Sequence, residues 1–224
     1  ITAFAPVTDI AKTLTPQLQN VADSVLILVD LSLGKNRLGG SVLAQVYQQM
    51  GDVSPDLDDA ALLKGFFNII QSLNKQNKLL AYHDRSYGGL LAAVAEMHFA
   101  SRLGVSIDIA KLGSDALAAL FNEELGAVIQ VHNHDADEVI GLFKQAGFSG
   151  GVHLIGGLIE GQQLAIHYGD KLIYSSSRAE LQSVWSEVSY KMQALRDNPD
   201  CALQQYERIK DNNDIGLHAK LTFD

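Results

Sequence analysis

The stretch Lys78-Leu79-Leu80-Ala81-Tyr82-His83-Asp84-Arg85-Ser86-Tyr87-Gly88-Gly89-Leu90-Leu91 decides the fold. Leu79 to Tyr82 is an apolar run long enough for a buried strand. Polar residues follow, then Gly88-Gly89, then Leu90, Leu91, Val94 and Met97 at helical spacing. The reading is strand, turn and helix, the unit of α/β folds with parallel strands. Such folds place ligands where strands end and helices begin, because the first helical N–H groups are unpaired and the dipole favours an anion. His83, Asp84, Arg85 and Ser86 occupy that turn, and Gly88 and Gly89 tolerate positive φ and close approach of another group. Two readings stand. One is a phosphate or nucleotide-metal site with Asp84 as oxygen ligand and Ser86 as hydroxyl donor. The other is an ordinary left-handed turn with an N-capping Ser86 and a solvated Asp84.

Working outward, Val25 to Leu31 is a short apolar, β-branched run that predicts a buried strand. The loop 34–41 then opens a helix with Val42, Leu43, Val46 and Tyr47 on one face. The loop lacks the full spacing of a Walker A or dinucleotide motif, so it reads as a tight turn or, more weakly, a phosphate cradle. Helices are predicted near 41–50, 56–76, 89–101 and 177–196. The second should bury Leu57, Leu63, Phe66, Phe67, Ile70 and Leu73. Further strands are expected at 105–109 and 127–131, with a helix over 115–123 between them. Glu123-Glu124 is then either an acid or metal pair or a solvated helix end with Gly126 as its cap. His132-Asn133-His134-Asp135 is a metal cluster or a polar loop, and Asp135 with Glu138 predicts a capping box. Strands over 152–159, 162–168 and 171–175, with turns at Glu160-Gly161 and Gly169-Asp170, resemble hairpins. Ser177 with Glu180 caps a long helix whose stripe Leu181, Val184, Trp185, Val188, Met192 and Leu195 reads as core. Pro199 opens a last polar helix, and 211–214 reads as linker.

Composition sets the outer limits. With 224 residues, 47% apolar and 19% charged, the chain can bury a sizeable core. Seventeen basic against 26 acidic residues give a formal charge of -9, which argues against a broad nucleic-acid surface. The single cysteine, Cys201, cannot form an internal disulfide, and no signal peptide or span of ~20 apolar residues is present. No membrane partner and a cytoplasmic location are expected. The extended reading of both ends, Ile1 to Ala5 and Lys220 to Asp224, predicts a piece of a longer protein.

Four motifs in order carry a family resemblance: Leu38-Gly39-Gly40-Ser41, His83-Asp84-Arg85-Ser86 with Gly88-Gly89-Leu90, Leu120-Phe121-Asn122-Glu123-Glu124-Leu125-Gly126-Ala127-Val128, and Arg196-Asp197-Asn198-Pro199-Asp200. Together they resemble the phosphoribosylformylglycinamidine synthases of purine biosynthesis, over essentially the whole chain. The resemblance implies a mixed sheet flanked by helices in three layers, like the C-terminal domain of aminoimidazole ribonucleotide synthetase. It divides the chain into a tail of a preceding subdomain (1–12), that domain (13–210) and a linker toward a glutaminase domain (211–224). The implied parent is an ATP- and glutamine-dependent C–N ligase that converts formylglycinamide ribonucleotide to the amidine. This chain would belong to the half of its core that holds an auxiliary ADP with magnesium. Asp84 then matches a magnesium ligand and Ser86 a nucleotide contact, and no catalytic residue falls in this chain. Its partners would be the remaining domains, and alone it is expected to be inactive. One departure is Tyr87, where the family motif has aspartate; a phenol cannot replace that charge. The alternatives are an interface module without a ligand and a domain of another ATP-using member of the same superfamily.

Overall fold

The computed structural model describes residues 2, 4–7, 9–214 and 222. Its centre is β1 (Ser24–Asp30), whose alternate residues face two different helical layers. The other strands are β2 (Leu79–Asp84), β3 (Gly104–Asp108), β4 (Gly126–His132), β5 (Val152–Ile159), β6 (Gln163–Tyr168) and β7 (Lys171–Ser177). All seven form one sheet in the order β2-β4-β1-β5-β3-β6-β7. The helices are α1 (Val42–Val46), α2 (Ala60–Lys75), α3 (Gly89–Ser101), α4 (Ala116–Phe121), α5 (Ala136–Gln145), α6 (Arg178–Arg196) and α7 (Pro199–Glu207).

Side chains alternate across a strand, so one face of β1 presents Ile27 and Val29 to Ile70 and Leu73 of α2 and to Val139 and Phe143 of α5. The opposite face presents Leu26 and Leu28 to a cluster that includes Leu90, Val94 and Met97 of α3 and Leu120 of α4. Each fully buried large apolar side chain contributes about 1.5–3 kcal/mol, and the two clusters make this a three-layer mixed α/β domain.

The strand directions correct the parallel reading. β1, β2, β3 and β6 do share one direction, but antiparallel β4 and β5 lie between the first three, so among the described residues only β3 and β6 pair in parallel. The strand-helix-strand crossover from β2 to β3 spans three intervening strands. Consequently Asp30, Asp84 and Asp108, the last residues of β1, β2 and β3, all lie toward the same end of the sheet.

Several local expectations change. Helix α1 stops at Val46, and Gln48 and Gly51 take positive φ. Helix α2 starts only at Ala60, where Asp59 accepts from the amide of Ala61, so Leu57 precedes the helix; Leu57, Leu63 and Phe67 are exposed. The turn at Glu160-Gly161 closes no hairpin, because β3 sits between β5 and β6; β6 and β7 do form one. Asp135 makes no side-chain cap; instead Lys78 bridges Asp135 and Glu138. The Ser177–Glu180 capping box is present, but Val184, Trp185, Val188, Met192 and Leu195 are exposed rather than core. The expectations for 1–7 and 211–224 fall partly on residues outside those described.

Candidate functional site

Strand β2 is an edge strand that ends at Asp84, and the chain turns through Arg85, Ser86, Tyr87 and Gly88 into α3. Two positive-φ glycines make the entry possible: Gly88 (φ 80°) is the N-cap and Gly89 (φ 68°) the first helical residue. At Gly89 space adds to conformation, since a Cβ would lie 2.6 Å from the carbonyl oxygen of Leu120 and 2.7 Å from that of Asn122. Ser86 is therefore not the N-cap. Its carbonyl accepts from the Gly89 amide at 2.9 Å and its side chain is exposed.

Asp84 is also exposed, and the hydroxyl of Tyr82 donates to it at 2.5 Å. Burial first, and then this bond to an anion, raise the Tyr82 phenol well above its usual range, so it stays a donor. Tyr82 also lines a half-open hollow of about 650 Å³ with Phe66, Phe67 and Ile70. His83 faces the other way along the strand and meets Glu96 of α3 at 2.6 Å, while the second oxygen of Glu96 accepts from the indole N–H of Trp185 at 3.1 Å.

Arg85 is not a free ligand-binding cation. It is buried, donates to Asp30 at 2.5 Å and to the Glu124 carbonyl at 2.8 Å, and its amide donates to the Gly126 carbonyl. Asp30 further accepts from the hydroxyl and amide of Ser32 and from the amide of Gly34. The 34–41 loop is thus a structural turn fastened to the end of β1.

Glu123 and Glu124 are neither a solvated helix end nor a pair on one ligand. Glu124 is fully buried and clasped by Arg37, whose Nε lies 2.6 Å from Oε1 and whose Nη2 lies 2.8 Å from Oε2. The bond to Glu124 is the main cause of an upward shift of the Arg37 guanidinium, which remains charged at any working pH. Oε1 of Glu123 accepts instead from two backbone amides, Val42 at 2.8 Å and Gly88 at 3.0 Å. Spacing could flag this carboxylate but not its partners, which lie 81 and 35 residues away. Nothing local marks Glu96, which meets His83 only once α3 packs beside β2.

The structure brings Asp84 and Ser86 onto one exposed turn and leaves His132 and His134 apart from it, stacked on each other at 5.1 Å. Among the described residues no group of three His, Cys, Asp or Glu side chains converges on a metal position. Magnesium takes about six oxygens, so Asp84 fits it as one ligand of a set completed by phosphate, water or other protein groups.

A family model described as the AIR synthase related protein, C-terminal domain, matches residues 21–182. A curated Schizosaccharomyces pombe protein, phosphoribosylformylglycinamidine synthase, is 50% identical over 229 aligned residues; they cover the whole of this chain and 17% of the relative, about a sixth of its length. Among solved structures, Thermotoga maritima PurL complexed with ATP aligns with a TM-score of 0.61 at 11% identity, over 77% of this chain and 27% of that one. Escherichia coli HypE, a hydrogenase maturation protein, aligns with a TM-score of 0.52 at 20% identity, over 74% of this chain and 51% of that one. At these identities the structural matches speak for the fold.

Proposed function

Because the chain belongs to the AIR synthase related proteins as their C-terminal domain, we propose that it is the part of a phosphoribosylformylglycinamidine synthase that presents the Asp84–Ser86 turn to a magnesium-bound adenine nucleotide. The observation that carries this reading is the 50% identity across the whole chain to the Schizosaccharomyces pombe enzyme of that name. It is supported by an exposed carboxylate and hydroxyl at the carboxyl end of β2, held on a turn that is tied down on its inner side. The parent would be a cytoplasmic ligase using ATP and glutamine-derived ammonia, its other domains, a glutaminase among them, being this chain's partners.

Magnesium at this turn would neutralise phosphate charge and orient the nucleotide. The chain's own residues do the rest. Asp84 offers an oxygen whose orientation Tyr82 fixes, and Ser86 offers a hydroxyl. Arg85, turned inward, stiffens the backbone between them instead of adding charge to the site.

One carboxylate and one hydroxyl are too few for magnesium, so this chain alone should bind MgADP no tighter than roughly millimolar. In the full-length polypeptide Asp84→Asn should lower both MgADP content and melting temperature, because a ligand bound only to the folded state stabilises it. Calorimetry on the chain and a melting curve of the variant test both statements. Micromolar binding by the chain alone, or a variant with normal ADP content and melting point, would place the site elsewhere. The exposed apolar stripe of α6 favours a second role for the same chain, as an interface within the parent.

A further inference from the structure

We propose that Glu123 is the positioning residue of the 84–88 turn, holding the nucleotide-binding backbone through the amide of Gly88; the inference rests on the nucleotide reading of that turn. The turn is pinned at two points. At its start the Arg85 amide donates to the Gly126 carbonyl at 2.8 Å and Arg85 Nε to the Glu124 carbonyl at 2.8 Å. At its end the Gly88 amide donates to Oε1 of Glu123 at 3.0 Å. Ser86 and Tyr87 lie between the pins, exposed, and among the described residues their one hydrogen bond is from the Gly89 amide to the Ser86 carbonyl.

A carboxylate accepting from a backbone amide makes a charge-assisted bond, about twice as strong as a neutral one. The same oxygen accepts from Val42 at 2.8 Å, so one atom aligns the first residue of α1 with the N-cap of α3. The structural clamp between the 120–126 segment and the 34–41 loop is supplied next door, where fully buried Glu124 holds Arg37. Glu123 is only partly buried and among the described residues makes no ion pair, which leaves the two amides as its task. Tyr87 is 80% exposed and carries no carboxylate, so the carboxylate that bonds the backbone of this turn is that of Glu123.

The test uses the full-length polypeptide with Glu123→Ala, Glu123→Gln and Asp84→Asn, MgADP as the probe, and amide hydrogen exchange over 84–89. E123A should lose about tenfold in MgADP affinity and exchange faster at 86–89, as expected for one lost charge-assisted bond. E123Q keeps the accepting oxygen and should stay within about twofold. Should E123A fail to fold, Glu123→Asp, a carboxylate one methylene short of both amides, should lose about threefold. A merely structural Glu123 would lower the melting point of the nucleotide-free protein and leave affinity unchanged in E123A while D84N loses it; that outcome overturns the proposal. So does E123Q falling as far as E123A, which would make the charge itself the ligand. Affinity unchanged in both E123A and D84N would instead overturn the nucleotide reading.

Discussion

Arg37 and Glu124, 87 residues apart in the chain, form a three-bond polar tie beneath the candidate site: Nε reaches Oε1 at 2.6 Å, with the carboxylate entirely out of water. The Arg37 amide adds a third bond at 3.0 Å, and its guanidinium reaches on to Asp58.

Removing one partner strands the other. Arg37→Ala leaves an uncompensated buried charge and should destabilise the chain by about 3 kcal/mol or more. Glu124→Gln keeps one acceptor oxygen for the Arg37 amide and Nε but puts an NH2 that cannot accept opposite Nη2, and should cost less, about 2 kcal/mol. Urea unfolding midpoints at constant slope measure the difference, and equal losses would contradict it.

At Gly89 positive φ and crowding combine, whereas a Cβ added at Gly34 (φ 89°) would meet nothing within 4 Å. Gly89→Ala should therefore destabilise by more than about 2 kcal/mol, and Gly34→Ala by only about 1 kcal/mol of left-handed backbone cost. Thermal melts of the two variants side by side decide it.

His98 is fully buried in α3, with Nδ1 on the Leu103 carbonyl and, among the described residues, no partner for Nε2. Burial, and to a lesser degree the nearby Arg178 charge, lower its pKa against the raising effect of the Leu103 bond. The unfolded chain then binds a proton below about pH 6.5 that the folded chain refuses. The sign is that stability is full above that pH and falls as pH drops, by up to about 1.4 kcal/mol per pH unit for this one group. His98→Asn, which can keep the bond to Leu103, should flatten the loss between about pH 6.5 and 5. His153, also lowered by burial, adds a parallel slope that the variant leaves in place.

Val184, Val188, Met192 and Leu195 recur along one side of α6, each at least 66% exposed. Val188→Lys with Met192→Lys should change the stability of the chain by no more than about 0.5 kcal/mol, because among the described residues both side chains stay two-thirds exposed. Light scattering should at the same time show less self-association. A large loss of stability would mean the stripe is core after all.

That stripe also marks where sequence reasoning stops. Helical periodicity in α6 announces an apolar face but not what covers it, and the same pattern in α3 is covered by the sheet. Strands were legible from β-branched runs such as Val25 to Leu31, and the shared direction of β1, β2 and β3 from the helices between them. The intercalation of β4 and β5 was not, since pairing partners are chosen by packing across the whole sheet. In the site, Asp84, Ser86 and the two glycines were readable in one turn. The destiny of Glu124 was not, because its environment is set by Arg37 from a distant loop.

Trp185 is the only tryptophan in the chain. Its indole is hydrogen-bonded to Glu96, which holds His83, the residue beside Asp84, and it also packs on Phe99 at 5.4 Å. The chain therefore carries its own optical probe: a change at the end of β2 that draws His83 or Glu96 aside alters the surroundings of the sole indole, and its emission can follow that change in solution without any label.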